Sequence, residues 1–292
     1  MASYDVRDKV VFITGAARGI GAEAAGQLVA RGAKVALAGL EPDELAKRAT
    51  ELGEANAAWF EADVTDLEAL RAAAAGTVER FGGIDVVIAN AGIAAATPLL
   101  DGDPGIFDAI VRVNLIGSHR TLLATLPHVT ARSGYVLQVA SLAAGLHAPM
   151  MGAYSATKAG VEAMANALRP EIAGTGTRVG VAYFGFIDTD MVRKGFATPS
   201  GKGFADKMGP MGPNHSIPVS KAGAAIVHGI ERRARQVVAP RRVKALLLAR
   251  TLLQPLSEKG AAARGFDKLA EQARSEPAAL TTEQPAQSRD PV

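Results

Sequence analysis

A tyrosine and a lysine stand four residues apart, at Tyr154 and Lys158. On a helix this spacing places both side chains on one face, with roughly 5–6 Å between their Cβ atoms. A free phenol has a pKa of about 10, and a nearby ammonium group lowers that pKa toward neutrality. Ser141 precedes the tyrosine by thirteen residues and could hold a substrate oxygen beside it. The pattern favours acid–base chemistry, although an exposed helical pair without function has the same spacing.

A glycine-rich turn at residues 14–21 follows a short apolar run, Val10–Thr14, which predicts a buried strand. Glycine permits a tight turn and a close approach of backbone N–H groups to a pyrophosphate, and the helix that follows adds a favourable field for an anion. A strand, a glycine turn and a helix in this order predict a dinucleotide site. The residues predicted to contact the cofactor there are Gly15, Ala17, Arg18, Gly19, Ile20 and Gly21.

Apolar runs alternate with helical patterns along the rest of the chain. The further predicted strands are Lys34–Gly39, Ala57–Ala62, Asp85–Ala91, Gly134–Ser141 and Arg178–Gly185. The predicted helices are Ala22–Arg31, Pro42–Leu52, a helix capped by Asp66 that runs to Phe81, Pro104–Val129 and Tyr154–Ile172. This alternation predicts βαβ units, and hence one Rossmann-type, doubly wound parallel sheet of about seven strands with helices on both faces.

The composition excludes several classes of protein. The 292 residues include no cysteine, so disulfides, thiolate nucleophiles and cysteine zinc sites are excluded, and the five histidines have no metal-ligand spacing. The net charge of +3 is small, and basic residues are not interleaved with aromatic ones, so we expect no nucleic-acid partner. Without a signal peptide or an apolar stretch long enough to cross a membrane, we expect a cytoplasmic protein.

The motifs together resemble a known family. The turn has the pattern T-G-x-x-x-G-x-G, and it is followed in order by Asn90-Ala91-Gly92, Asn114, Ser141 and Tyr154-x-x-x-Lys158. Over about residues 8–240 the chain is similar to the compact type of short-chain dehydrogenase/reductase. The resemblance implies an NAD(P)-dependent enzyme that transfers a hydride between nicotinamide and a secondary alcohol or ketone.

The resemblance also implies residue roles. Tyr154 matches the general acid/base, and Lys158 matches the lysine that lowers its pKa and holds the nicotinamide ribose. Ser141 matches the serine that positions the substrate oxygen, and Asn114 the asparagine that keeps a water for the proton relay. The implied cofactor contacts are Asp63 and Val64 at the adenine, Asn90, Ala91 and Gly92 along the adenosine, and Ile187 and Thr189 at the carboxamide and phosphate.

Two positions differ from the usual family pattern. Phe184 stands where the family usually has proline, and we expect it to pack against the nicotinamide ring or fill core. An acid at the end of the second strand selects NAD, but Gly39 occupies that position. Arg18 is well placed for a 2′-phosphate, whereas Glu41 could reach a ribose. We expect NADP, with NAD possible.

We expect the catalytic domain at residues 1–240, with a mobile substrate lid at 188–220. The lid and the facing wall, Leu142–Met151, are both apolar, which favours a bulky apolar alcohol or ketone over a phosphorylated sugar. These side chains could equally pack the lid on itself. His147 in the wall is interpreted as a structural or substrate-edge residue.

The C-terminal part has two predicted segments. Residues 241–270 form a basic and apolar helical extension, which could lie on an anionic membrane, cover a subunit interface or close the substrate pocket. Residues 271–292 are rich in Pro, Gln, Ser, Thr and Glu and are predicted to be disordered. The resemblance implies a homodimer or homotetramer. An inactive, cofactor-sensing binding protein stays open as an alternative, because fold does not determine function.

Overall fold

The structure, a computed structural model, describes residues 3–276 and 280–282. The strands are β1 (Val10–Thr14), β2 (Lys34–Gly39), β3 (Ala57–Glu61), β4 (Val86–Ala89), β5 (Tyr135–Val139), β6 (Arg178–Phe184) and β7 (Gln236–Ala239). They form one parallel sheet in the order β3-β2-β1-β4-β5-β6-β7. The predicted Rossmann-type sheet is therefore confirmed. The order reverses between β1 and β4, the position where open α/β sheets bind ligands.

The central strands are apolar throughout because both faces of the sheet are covered. Every residue of β1 is buried, and Phe12 lies opposite Ala36 of β2 on one side and Val87 of β4 on the other. The edge strand β3 instead alternates, and Trp59 is 41% exposed. Continuous apolar runs thus mark buried parallel strands, and alternation marks the edge.

Helices cover both faces. Their bounds are α1 (Gly19–Val29), α2 (Pro42–Leu52), α3 (Leu67–Phe81), α4 (Pro104–Val111), α5 (Gly117–Ala131), α6 (Gly152–Glu171), α7 (Asp190–Gly195), α8 (Pro199–Lys207), α9 (Val219–Glu231), α10 (Arg242–Leu248), α11 (Arg250–Ala263) and α12 (Phe266–Arg274). One face packs under α1, α2 and α9, with Leu28 and Ile226 in its core. The other packs under α3 to α6, with Leu70 and Val161 in its core.

Two helix predictions need correction. Helix α1 begins at Gly19 rather than Ala22, so the second half of the glycine turn is already the first helical turn. The predicted single helix Pro104–Val129 is interrupted by a π-helical turn at Arg112–Ile116, between α4 and α5. Such turns add one residue to the helix and often occur at functional sites, and this one contains Asn114.

The C-terminal extension is helical, as predicted for 241–270, but α12 continues to Arg274. Residues 271–274, predicted to be disordered, are therefore ordered, because Ala273 packs with Phe266 and Leu269 in a small core beside α8. The rest of the predicted disordered segment lies outside the described residues at 277–279 and 283–292. Within the part of the chain that the structure describes, we find no helix with the length and apolarity needed to span a membrane.

Candidate active site

The glycine turn packs against the end of β4. Gly15 has a positive φ of 64°, and a Cβ atom there would lie 2.8 Å from the Cα of Ala91. A Cβ at Gly21 would lie 2.5 Å from the carbonyl oxygen of Gly15. Only glycine fits both positions. No described side chain caps the first turn of α1, so its N–H groups are available to an anion at the cleft.

Asn90 braces this turn. Its Nδ2 donates to the carbonyl oxygens of Thr14 at 3.0 Å and Gly15 at 3.1 Å. The hydroxyl oxygen of Thr14 accepts in return from the backbone N–H groups of Asn90 and Ala91. The Asn90 amide therefore holds β1 and β4 in register where the glycine turn begins.

Asn114 clamps the loop after β4 from the protein interior. It is 1% exposed. Its Oδ1 accepts from the Ile93 N–H at 2.8 Å, and its Nδ2 donates to the Ile93 carbonyl at 2.9 Å and to the Thr157 hydroxyl at 3.2 Å. The π-helical turn thus presents the amide to the loop. The amide is therefore satisfied mainly by backbone groups, and these belong to the loop after β4.

Ser141, Tyr154 and Lys158 come together at the end of β5 and the start of α6. The Lys158 Nζ lies 5.6 Å from the centroid of the Tyr154 ring and donates to the Val139 carbonyl at 2.8 Å. The Ser141 hydroxyl donates to the Phe184 carbonyl at 3.3 Å, and a hydrogen bond with the Tyr154 side chain links the two hydroxyls. The four-residue spacing on α6 therefore brings the phenol and the amine to one face, as predicted.

Burial shifts both titratable groups. It lowers the pKa of the Lys158 ammonium to about 8, because the charged form is disfavoured away from water. It raises the pKa of the Tyr154 phenol above its usual value, and the hydrogen bond with Ser141 lowers that pKa only in part. The predicted fall in the phenol pKa is wrong in direction, because desolvation outweighs the contacts that favour the phenolate.

A cleft of about 200 Å³ runs along the carboxyl ends of the strands at the point where the strand order reverses. Of the predicted site residues it is lined by Gly15, Ala17, Arg18, Gly19, Ile20, Asp63, Val64, Asn90, Ala91, Gly92, Ser141, Tyr154, Lys158, Ile187 and Thr189. Gly21 and Asn114 lie behind it, where they hold the turn and the loop. One carboxylate oxygen of Asp63 already accepts from the Thr65 N–H at 2.7 Å.

The segment after β6 closes one side of this cleft. Ile187 is buried and bridges to Ile217, while the Thr189 hydroxyl caps α7 by accepting from the Val192 N–H. A Cβ at Gly19 would lie 3.6 Å from the Thr189 methyl group, so the glycine turn and the start of the lid face each other. Phe184 is 3% exposed and packs in the core, where its carbonyl accepts from Ser141.

The two side chains that could select the cofactor are bonded to each other. Arg18 Nη2 donates to Glu41 Oε1 at 2.5 Å, and both side chains are partly exposed at 38% and 27%. Both line the cleft beside Gly39. A 2′-phosphate would therefore compete with Glu41 for the guanidinium, and a ribose hydroxyl would compete with Arg18 for the carboxylate.

An apolar cavity of about 630 Å³ adjoins the cleft and shares Ser141, Tyr154 and Phe184 with it. It is lined by the predicted wall, including Leu142, Leu146, His147, Met150 and Met151, and by the lid residues Met191, Phe196, Phe204 and Met208. The predicted lid and wall thus enclose space instead of only packing on each other.

The C-terminal extension completes this cavity, through Ala261, Phe266 and Ala270 among others. An aromatic row links it to the lid: ring centroids are 5.7 Å apart for Phe186–Phe196, 5.1 Å for Phe196–Phe204 and 5.6 Å for Phe204–Phe266. The extension therefore forms one side of this cavity.

Two polar contacts fasten α11 to the site. Arg250 Nη1 donates to both carboxylate oxygens of Glu162 on α6, at 3.1 and 3.2 Å. Gln254 accepts from the His147 N–H at 2.9 Å and donates to its carbonyl. His147 is therefore held at the edge of the cavity by its backbone, and its ring nitrogen Nδ1 lies 3.0 Å from the Ala143 carbonyl.

Thr281 and Thr282 also line the cofactor cleft, and sequence reasoning missed both. They lie in a segment whose composition is typical of disorder, about 190 residues from the loop that Thr281 contacts. Neither periodicity nor a motif marks them, so we find no signal in the sequence that predicts their position.

The sequence also matches the model of a known protein family. A family model described as short chain dehydrogenase matches residues 9–199, more than half of the chain. The chain belongs to the short-chain dehydrogenase family. It is thus a member of a family of oxidoreductases, and the resemblance found from the motifs is confirmed.

Relatives of this short-chain dehydrogenase have varied names. An uncharacterized oxidoreductase of Staphylococcus saprophyticus is 34% identical over 191 residues, covering 64% of this chain and 82% of that protein. The trans-4-hydroxycyclohexanecarboxylate dehydrogenase of Sinomonas cyclohexanicum is 33% identical over 202 residues, covering 65% and 78%. The 11-beta-hydroxysteroid dehydrogenase 1A of Arabidopsis thaliana is 29% identical over 265 residues, covering 88% and 76%.

A solved structure shares the fold. A short-chain dehydrogenase/reductase from Burkholderia phymatum, crystallised in complex with NAD, has a TM-score of 0.77 at 20% identity. The match covers 87% of this chain and 96% of that one. The fold of this chain therefore has a counterpart among solved structures.

Proposed function

We propose that this protein is an NADP-preferring oxidoreductase that interconverts a bulky, apolar secondary alcohol and its ketone. One observation carries the proposal: Ser141 and Tyr154 line both the cleft at the glycine turn and the apolar cavity, with Lys158 buried beside the phenol. A cofactor in the cleft and a substrate in the cavity would therefore meet at these hydroxyl groups.

In this proposal the nicotinamide cofactor supplies or accepts the hydride, and the protein provides orientation and the proton. The Tyr154 hydroxyl donates its proton to the substrate oxygen in reduction, and the Tyr154 phenolate accepts the proton of the alcohol in oxidation. The Ser141 hydroxyl holds the same oxygen. Lys158 binds the nicotinamide ribose, and its Nζ lies 5.6 Å from the centroid of the Tyr154 ring, beside the phenol that donates the proton.

The residues of the cleft fit a dinucleotide. The uncapped N–H groups of the first turn of α1 suit the pyrophosphate, and Gly15 and Gly19 line the cleft beside them. Arg18 gives the site a guanidinium for a 2′-phosphate, which supports NADP, while its pairing with Glu41 supports NAD as the weaker alternative. The roles of Asp63, Val64, Ile187 and Thr189 toward the cofactor stay predictions.

Titration of the protein with NADPH and NADH, followed by nicotinamide fluorescence, tests the cofactor. We expect NADPH to bind at least about tenfold tighter, a difference near 1.4 kcal/mol. Oxidation of NADPH is then measured with ketones of increasing apolar bulk, and kcat/KM should rise with size until the cavity is filled. Binding of NADPH without turnover of any ketone would favour the inactive, cofactor-sensing alternative.

A second candidate role, association with a membrane surface, is favoured by three exposed leucines. Leu248 at the end of α10 and Leu252 and Leu256 on α11 are 77%, 74% and 64% exposed. The exposed lysines Lys244 and Lys259 flank these leucines in sequence. A basic and apolar helical surface of this kind suits an anionic lipid interface.

Co-sedimentation with vesicles of neutral and of partly anionic phospholipid tests this role. We expect the wild-type protein to bind the anionic vesicles, and the variant Leu252→Ser/Leu256→Ser to lose that binding. Leu123→Ser, which changes a leucine of α5 that is 46% exposed, is the matched control. Equal sedimentation of all three proteins contradicts the role. A homodimer or homotetramer stays a prediction that sedimentation velocity can test.

A further inference from the structure

A short C-terminal segment reaches the centre of the site. Thr281 is only 4% exposed and lines the cofactor cleft. Its backbone N–H donates to the Ala94 carbonyl at 3.0 Å, and its hydroxyl oxygen accepts from the Ala94 N–H, also at 3.0 Å. One threonine thus satisfies both backbone groups of a single loop residue, as a neighbouring strand would.

Ile93, the residue before Ala94, is also held through both of its backbone groups. Asn114 satisfies both backbone groups of Ile93, at 2.8 and 2.9 Å. Just ahead of Ile93, a Cβ at Gly92 would lie 3.2 Å from the Asn114 Oδ1 and 3.5 Å from the Lys158 Nζ. The loop Gly92–Ala94 therefore lies against Lys158, with one clamp from the protein interior and a second from the C-terminal segment.

The loop also separates the two cavities. Gly92 and Ile93 line the cofactor cleft, and Ala94 lines the apolar cavity. The backbone position of this loop thus sets the space for ligands on both of its sides, close to Tyr154. A displacement here changes the site without altering any side chain that handles the reacting atoms.

Other contacts anchor the segment that carries Thr281. The Glu276 carboxylate accepts from the Ser200 N–H at 3.0 and 3.2 Å and from its hydroxyl at 2.6 Å, at the first turn of α8. Leu280 packs against the main core, and a Cβ at Gly195 of α7 would lie 3.3 Å from the Thr281 methyl group. The described residues Glu276 and Thr281 therefore contact the lid, and Thr281 also contacts the loop.

We propose that Thr281 is a positioning residue of this enzyme: through its paired bonds to Ala94 it holds the loop Gly92–Ala94 against Lys158 and thereby supports cofactor binding and substrate orientation. The C-terminal segment is in this view a functional part of the active site. The proposal rests on the proposed function, because it takes a nicotinamide cofactor as the ligand of the cleft.

Thr281→Val tests the proposal, since valine has nearly the shape of threonine but cannot accept a hydrogen bond. The buried Ala94 N–H then loses its partner. We expect NADPH to bind about fivefold to tenfold more weakly, the factor that corresponds to roughly one hydrogen bond. Thr281→Ser keeps the acceptor and should restore the affinity. Thr251→Val, at an exposed threonine of α11, is the matched control and should bind as the wild type does.

Amide hydrogen exchange gives a readout that does not depend on turnover. In Thr281→Val, and in a chain ending at Ser275, exchange at Ile93 and Ala94 should accelerate, while the strands of the sheet keep their protection. Unchanged exchange and unchanged NADPH affinity in both variants would overturn the proposal. Wild-type protein that binds no nicotinamide cofactor would instead refute the proposed function, while the exchange data would still decide whether Thr281 holds the loop.

Discussion

The cofactor cleft and the apolar cavity meet at Tyr154, yet different kinds of residues line them. The cleft is lined by the glycine turn and by backbone and polar groups at the carboxyl ends of β1 to β6. The cavity is made of long side chains from four separate segments, including the lid and the C-terminal helices. The cleft is held by backbone-directed hydrogen bonds such as those of Asn90, and the cavity by packing such as the aromatic row.

This difference has a physical cause. A pyrophosphate needs close approach and N–H donors, and these are provided by a sheet edge and a helix N-terminus in fixed positions. An apolar substrate needs volume and surface, which many side-chain arrangements provide. Changes in the cleft should therefore affect chemistry or cofactor affinity, whereas changes in the cavity should affect stability and the Michaelis constant for the substrate.

The largest expected effect is at the boundary between the two regions. Tyr154→Phe removes the proton donor and keeps the ring, so kcat should fall by about 10²–10⁴-fold, while NADPH binds as in the wild type. The measurement is steady-state turnover beside a fluorescence titration. Full activity in the variant would remove Tyr154 from its proposed role.

Next in size is a change in the cavity wall. Phe266 is 2% exposed and packs edge-to-face against Phe204, so Phe266→Ala should lower the free energy of unfolding by about 3 kcal/mol. It should also raise KM for bulky ketones and leave NADPH affinity unchanged. Urea denaturation measures the stability, steady-state kinetics measure KM for the ketones, and fluorescence titration measures NADPH affinity. Phe107→Ala on α4, where the side chain is 37% exposed, should cost much less. Weaker NADPH binding in Phe266→Ala would show that the cavity and the cofactor cleft do not act independently.

A smaller effect concerns cofactor choice within the cleft. Arg18→Gln should weaken NADPH binding by about tenfold, near 1.4 kcal/mol, and leave NADH nearly unaffected. Glu41→Gln frees the guanidinium from its partner at 2.5 Å and should shift the preference further toward NADPH. Parallel titrations of both variants with both cofactors measure the ratio. If the ratio of NADPH to NADH affinity is unchanged in both variants, the Arg18–Glu41 pair does not select the cofactor.

The smallest expected effect is a pH dependence. Burial lowers the pKa of Lys158 to about 8, so its ammonium is charged below that pH and neutral above it. Cofactor affinity should therefore fall a few-fold as the pH rises through about 8. In Lys158→Arg the guanidinium stays charged, so cofactor affinity should not change over the same pH range. A wild-type profile without this decline would mean that the Lys158 charge does not support binding.

How far the sequence predicts the structure differs between the two regions. The six strands assigned from apolar runs agree with the structure to within about two residues at each end, because buried parallel strands need continuous apolar stretches. The motif residues were also found together, since the carboxyl ends of parallel strands share one edge of the sheet. The π-helical turn that carries Asn114 was not predicted from the sequence.

The sequence by itself determined the sheet, the glycine turn, and the tyrosine and lysine on one face of α6, because these depend on local spacing and on elements adjacent in the chain. Tertiary structure alone decided the Arg18–Glu41 pair, the raised pKa of Tyr154, the closing of the cavity by α12 and the clamp of Thr281 on Ala94. Each of these depends on burial or on contacts between segments distant in the chain, and local patterns carry no information about either.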